Sequence, residues 1–407
     1  MRAMTAPWLT LIGIGDGGLA TLTPEQRRAL DMAETVFGGA RHLAMLEEGG
    51  PERVVWRSPF EAALDDLLAR RGRRVAVLAT GDPMWFGVGG TLARRLAPGE
   101  MRVLPGPSAF SLAAARLGWP IEDCTCLSIH GRSIGLIDRH LRPGARLLVY
   151  AWNGDSPREL ARRLTGRGFG PSRLTVLEHL GGGAERVRET SAADFDLEGV
   201  ADLNTVAVEC VAGRAAMPRP LVPGLPDDAF LHDGTMTKRV PRALALAALE
   251  PMPGALLWDV GAGCGSISVE WLRAAEGMAA IAIEPRAERR LMIAENADAL
   301  GGPGLTLVEG RAPVAFAGLP APDAIFLGGG LSEGVLAPAW EALPPGGRLV
   351  AHAVTLESEV LLIDAHRRLG GELLRLSVER AEPVGPFQGW RPAMPVLHWH
   401  ATKGDAR

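Results

Sequence analysis

The tightest constraint on the fold lies past the middle of the chain, in Leu257-Trp258-Asp259-Val260-Gly261-Ala262-Gly263-Cys264-Gly265. An apolar run of strand length meets glycines at alternate positions, and a helical pattern follows. This reads as a buried strand turning sharply into a helix. Glycines let the backbone pass close to a ligand, and the helix start offers free N–H groups to an anion. The spacing is D-x-G-x-G-x-G. A nicotinamide-binding turn more often reads G-x-G-x-x-G, so a nicotinamide-dependent reductase is disfavoured. Glu284 closes the next strand, Ala280 to Glu284, where a carboxylate can accept from two ribose hydroxyls. Gly310-Arg311-Ala312 follows the strand after that.

The same alternation of short apolar strands and amphipathic helices fills the chain, which predicts an α/β protein with largely parallel sheets. The first strand, Trp8 to Ile14, runs into Gly13-Ile14-Gly15-Asp16-Gly17-Gly18. Thr23-Pro24-Glu25 then opens a helix with Thr as its cap. Arg74 to Ala79 ends in Thr80-Gly81-Asp82-Pro83-Met84. Met101 to Leu104 ends in Pro105-Gly106-Pro107-Ser108-Ala109-Phe110, followed by a helix from Ala109 to Leu117. A second strand-and-helix series covers 119–212.

At 407 residues the chain is too long for one ordinary core. Residues 213–229 hold Pro218, Pro220, Pro223 and Pro226 without a period, which suggests a linker. The expected domains are 1–212, in two lobes of about 8–118 and 119–212, and 230–407. Two last strands, near 372–379 and 394–401, are expected to form an edge hairpin.

The formal net charge of −4 argues against a nucleic-acid partner. No apolar run reaches membrane-spanning length, and Met1 to Leu11 lacks the pattern of a leader, so a cytoplasmic enzyme is expected. Cys124 and Cys126 share a strand face without a second pair or a His cluster, and they read as structural thiols. His398 and His400 alternate on the last strand with no third ligand nearby, so no metal is expected.

The three loops of the first half, taken together, resemble the tetrapyrrole methylase family over about residues 8–212. This implies a two-lobed class III methyltransferase fold with S-adenosylmethionine in the cleft. By that resemblance Gly81, Asp82, Met84, Ser108 and Ala109 contact the cofactor, and Gly13, Gly15 and Asp16 line the tetrapyrrole side. Many members read G-x-G-P-G-D at the first loop where this chain reads G-I-G-D-G-G, which looks like the subgroup acting late in corrin assembly.

The second glycine loop resembles that of the Rossmann-like class I methyltransferases, with a mostly parallel seven-stranded sheet. Asp259, Gly261, Gly263, Gly265, Glu284, Arg311 and Ala312 would then hold a second S-adenosylmethionine. With Phe230 to Arg239 upstream, residues 230–407 resemble the decarboxylating precorrin methyltransferases of cobalamin synthesis. The fusion implies methylation of precorrin-6Y at carbon 5 by the first half and at carbon 15 by the second. It also implies loss of the ring C acetate carboxyl in the second half. It further implies a homo-oligomer, a tetramer through the C-terminal half.

Such a substrate carries many carboxylates, which arginine pairs well. Lys238, Arg239 and Arg242 open one helix, and Arg311 and Arg391 are read in loops; they are candidate clamps, with Thr237 beside them. His232 and Asp233 are candidates for acid–base work, as is His130 in the first half. Gly328 and Gly329, after Asp323 to Leu327, would make room for a flat macrocycle. A nucleic-acid methyltransferase would usually carry an Asn/Asp-Pro-Pro-Tyr/Phe loop there. A non-catalytic corrinoid-binding protein would not need two intact cofactor loops.

Overall fold

The computed structural model describes residues 7–302 and 304–404. The first six residues of the stretch read for a leader, and residues 405–407, lie outside them. The chain forms two compact units, Met1–Arg132 with Arg142–Met217, and Ser133–Leu141 with Pro218–Arg407.

The first unit holds two sheets. One contains β1 (Leu9–Ile14), β2 (Thr35–Gly38), β3 (Glu52–Val55), β4 (Val75–Thr80) and β5 (Met101–Leu104), in the order β3-β2-β4-β1-β5. All its pairings are parallel. β1 and β4 are flanked on both sides, and their mostly apolar, largely buried runs match strands covered on both faces. This order brings the ends of β1, β4 and β5, and so the three loops, side by side.

The other sheet contains β6 (Cys124–Ser128), β7 (Arg146–Tyr150), β8 (Arg173–Glu178), β9 (Arg186–Ser191) and β10 (Asn204–Glu209), ordered β6-β7-β10-β8-β9. Only β6 and β7 pair in parallel. The expectation of largely parallel sheets therefore fails in this lobe. The reason is β10, which enters antiparallel between β7 and β8, and β9, a charged edge strand that returns antiparallel along β8, its Arg186 and Arg188 reaching the buried Glu178 at 2.6 and 3.0 Å.

In the second unit come β11 (Leu256–Val260), β12 (Ala279–Ile283), β13 (Leu305–Val308), β14 (Ala324–Leu327), β15 (Arg348–Ala353), β16 (Glu372–Leu376), β17 (Glu379–Val384), β18 (Phe387–Pro392) and β19 (Val396–Thr402). The main sheet has seven strands, ordered β13-β12-β11-β14-β15-β19-β16. β11 to β15 run parallel, and β19 runs antiparallel to both its neighbours. The last two expected strands do pair, but β19 lies inside the sheet, with His398 and Trp399 both fully buried. The chain between them forms a separate hairpin, β17–β18.

The proline-rich stretch is bound from Pro218 onward to the second unit. The Glu270 carboxylate accepts from the N–H groups of Gly224 at 2.5 Å and Leu225 at 3.0 Å. Arg273 donates to the carbonyls of Arg219 and Pro220 at 3.3 and 3.1 Å. Prolines cannot join a backbone ladder, so carbonyls in such a segment need side-chain donors. Two buried arginines, Arg242 and Arg273, supply them.

Candidate active sites

In the first unit the three loops are sewn together by backbone. Gly81 N–H donates to Ile14 at 3.1 Å, and Gly106 N–H donates to Gly81 at 3.0 Å. The buried Gln26 amide donates to the carbonyls of Gly13, Leu104 and Pro105 at 3.2, 3.1 and 3.2 Å. A Cβ on Gly13 would lie 1.9 Å from the Gly81 oxygen. Gly13 is thus a packing glycine at the junction and does not line the cleft, which corrects its reading as a substrate contact.

Beside this junction is a cavity of about 650 Å³. Of the expected residues, Gly15, Asp16, Gly81, Ala109 and His130 line it. Asp82, Met84 and Ser108 do not. Asp82 accepts from the Met84 N–H at 2.9 Å, which closes the turn. Ser108 caps the helix Ala109–Leu117 by accepting from Ser111.

The cavity's polar wall was not anticipated as a group. Asp16 pairs with Arg41 at 2.8 Å and with His179 Nδ1 at 3.0 Å. His42 Nε2 lies 2.9 Å from the Thr80 hydroxyl. Burial, with Arg41 alongside, pushes His42 down to about 4, so the ring is neutral near pH 7. Aromatic rings also lie in or behind the lining. Phe110 and Tyr150 stack at 3.6 Å, Arg132 lies over Phe86 at 5.1 Å, and His130 stacks on Trp152 at 4.9 Å.

In the second unit the glycine loop meets the loop after β14. Gly261 has φ of +68°, and a Cβ there would lie 2.7 to 2.8 Å from Gly329 backbone atoms. Asp259 is buried and accepts from the Ser268 N–H and hydroxyl at 3.1 and 2.6 Å. Burial raises it to about 6 despite those bonds. Glu284 accepts from Gly263 and Arg286 N–H groups at 3.0 and 3.1 Å, which joins the loop to the end of β12. The buried Asn296 amide bonds both the Cys264 and Leu231 carbonyls and accepts from the Leu231 N–H. It fixes the 231 segment against the loop.

A cavity of about 650 Å³ opens there, lined among others by Thr237, Lys238, Asp259, Gly261, Gly263, Gly328 and Gly329. Gly265, Glu284, Arg311 and Ala312 lie outside its lining. Gly265 instead packs on Ile293, which a Cβ would approach to 2.8 Å. A buried carboxylate beside a glycine cradle suits a cofactor with an amino-acid end and a ribose.

The cationic candidates divide. Lys238 lines the cavity; Arg239 does not. Arg242 is fully buried and bonded to Glu270 at 2.7 Å, Asp227 at 3.1 Å and the Thr237 carbonyl at 2.7 Å. It has no face for a substrate, which corrects its reading as a clamp. Arg391 sits on strand β18 rather than in a loop and pairs with Glu382 at 2.9 Å. Arg289 and Arg380, not singled out beforehand, line the cavity.

His232 and Asp233 also lie outside the lining. His232 Nδ1 accepts from the Gly234 N–H at 3.0 Å. The Thr235 N–H and Arg289 hold Asp233 below the usual carboxylate range, so it stays ionised and is no proton donor near neutral pH. Among the described residues, no group of three or more His, Cys, Asp or Glu is arranged to hold a metal ion. No helix there is long and apolar enough to cross a membrane.

Residues 8–196 match the Tetrapyrrole (Corrin/Porphyrin) Methylases, and residues 228–403 match the Precorrin methyltransferase domain. The chain is therefore a methyltransferase with two domains of tetrapyrrole chemistry. A Sinorhizobium protein, Precorrin-6Y C(5,15)-methyltransferase [decarboxylating], is 53% identical over 99% of this chain and 98% of its own length. The chain belongs to that family. Two shorter relatives each cover about half of it. A Salmonella typhimurium Cobalt-precorrin-7 C(5)-methyltransferase is 33% identical over 47% of this chain and 94% of its own. A Pyrobaculum calidifontis probable cobalt-precorrin-6B C(15)-methyltransferase (decarboxylating) is 36% identical over 43% of this chain and 93% of its own.

Proposed function

We propose that the chain methylates precorrin-6Y at carbon 5 in the first unit and at carbon 15 in the second. The second domain also removes the ring C acetate carboxyl as carbon dioxide, in cobalamin synthesis. The observation that carries this reading is a separate cavity in each unit, each beside glycine loops at the ends of parallel strands. The half-length relatives named for carbon 5 and for carbon 15 support the division.

One S-adenosylmethionine per domain fits the two loop sets. Gly81 and Ala109 would hold it in the first, and Gly261, Gly263 and Glu284 in the second. When bound, it supplies a methyl group already activated on a sulfonium. The chain's own task is then to align that group with a carbon of the macrocycle, an orientation effect worth up to roughly 7–11 kcal/mol. No Ser–His–Asp set is needed. Lys238, Arg289 and Arg380 in the second cavity, and Arg41 and Arg132 in the first, are placed for substrate carboxylates. Gly328 and Gly329 leave a wall without side chains for a flat ring. A homo-oligomer formed through the second domain, working in the cytoplasm, completes the reading; sedimentation of the full chain tests its size.

The full chain, given precorrin-6Y and S-adenosylmethionine with a labelled methyl, is expected to add two methyls and release one carbon dioxide. Gly261→Ala should abolish carbon dioxide release, and Gly13→Ala should keep it with one methyl. Carbon dioxide release that survives Gly261→Ala, or vanishes with Gly13→Ala, overturns the division.

A further inference from the structure

Three histidines run in line from the second cavity to the surface. His352, near the end of β15, lines the cavity. Its Nε2 lies 2.9 Å from His398 Nδ1 on β19. His398 Nε2 lies 3.1 Å from His400 Nδ1. His400 Nε2 lies 3.6 Å from a Glu372 carboxylate oxygen, and the Glu372 side chain is 59% exposed. His398 is fully buried. The line therefore starts inside and ends in water.

The geometry follows from the sheet order. His352 and His398 are register partners on antiparallel strands. His398 and His400 are two apart, so they share a face. The rings bond nitrogen to nitrogen in series and do not converge on a point, which is the arrangement of a relay and not of a metal site. Burial, with the neighbouring ring second, pushes His352 to about 3 and His398 to about 4. Both rings are neutral near pH 7. A neutral imidazole carries one N–H and one acceptor nitrogen, so a proton can enter at one nitrogen while another leaves from the second. With Nε2 of His352 committed to His398, Nδ1 is the nitrogen left for a group in the cavity. His232 and Asp233, the acid–base candidates of the sequence, do not offer this: they lie outside the lining and are turned to backbone and to Arg289.

We propose that His352 donates the proton that completes decarboxylation in the second cavity, and that His398 and His400 pass a proton from solvent to its other nitrogen, so that no ring is left charged. This rests on the reading of that cavity as the decarboxylating one. The acetate's C–C bond breaks, its electron pair enters the conjugated macrocycle, and carbon dioxide leaves. The remaining CH₂ carbon then takes the proton from His352 Nδ1 and becomes a methyl group. His352 Nε2 takes the proton of His398 Nδ1, His398 Nε2 takes that of His400 Nδ1, and water beside Glu372 supplies His400 Nε2. All three rings end neutral, with the opposite nitrogen protonated.

The test uses the full chain with precorrin-6Y and S-adenosylmethionine in heavy water, in single turnover. It follows methyl transfer and the appearance of the decarboxylated, singly deuterated methyl separately. His352→Gln should slow the deuterated product about 100-fold, the lower range for a positioned acid, with methyl transfer changed less than about 3-fold on the same scale. His398→Gln and the surface variant His400→Phe should slow the same step about 10-fold, because water replaces the relay only in part. Wild-type product formation in His352→Gln, or in His400→Phe should the buried variants not fold, overturns the relay. So does an equal fall in methyl transfer and decarboxylation. If the unmodified chain methylates precorrin-6Y without releasing carbon dioxide, the functional reading itself fails instead.

Discussion

The two units hold the segments around their cavities by different means. In the first, a neutral side chain does it: Gln26 ties three carbonyls while its own oxygen accepts from the Thr23 N–H at 2.8 Å, closing the helix cap. In the second, charge does it. Arg242 and Glu270 are 0% and 2% exposed and bonded at 2.7 Å, and between them they grip residues 224 to 227 and the Thr237 carbonyl. A neutral amide loses little when buried with every bond made. A buried ion pair costs desolvation and tolerates no loss of one partner. The first arrangement is therefore robust to single changes, and the second is brittle.

Arg242→Ala gives the largest expected effect. It strands Glu270, and the second unit should lose about 3–5 kcal/mol in chemical denaturation. Gln26→Ala should cost the first unit about 1–3 kcal/mol, since three carbonyls lose a neutral donor. Equal losses would break the contrast. Acid should separate the units next. The rings of His352 and His398 bind protons near the ordinary histidine value when unfolded, but only near 3 and 4 when folded. Their contribution is full above about pH 6.5 and is lost as pH falls toward those values. The expected slope is up to about 1.4 kcal/mol per pH unit for each ring. In the first unit His42 is pushed to about 4 in the same way. Thermal midpoints between pH 7 and 5 should thus fall more steeply for the transition of the second unit, and His352→Gln should flatten that limb. The smallest effect is Arg380→Gln. This arginine is exposed at the cavity edge, and its loss should raise KM about 3-fold with kcat unchanged.

Much of the architecture was legible because it rests on local signals. The Thr23 cap, the helix Ala109–Leu117 and the run from Leu257 into Gly265 all appear where periodicity and glycine spacing put them. What escaped depends on which strand lies beside which. His398 and His400 visibly share a face, but their third partner is 46 residues from His398 in sequence and meets it only because β19 enters the sheet. Arg242 looked like one of three cations opening a helix; its burial depends on Glu270 and on a proline segment folding back. The β17–β18 hairpin reads as polar chain, with Glu379, Arg380 and Glu382 in its first strand, and so its contribution of Arg380 to the cavity edge was hidden. Arg41 and His42 are ordinary helix residues until the order of β1, β2 and β4 sets them against Thr80.

The binding of residues 218–230 also decides where this gene can be divided. A second half begun at residue 230 would lack Leu225, which is 1% exposed, and would leave Glu270 and Arg273 without the backbone partners they now satisfy. A fragment meant to fold alone has to start at or before Pro218, and one starting there still lacks Ser133–Leu141, whose Arg139 donates to the Ala275 and Arg273 carbonyls at 3.1 and 3.2 Å. The same boundary would apply to any natural splitting of the two activities into separate genes: the prolines would travel with the downstream piece.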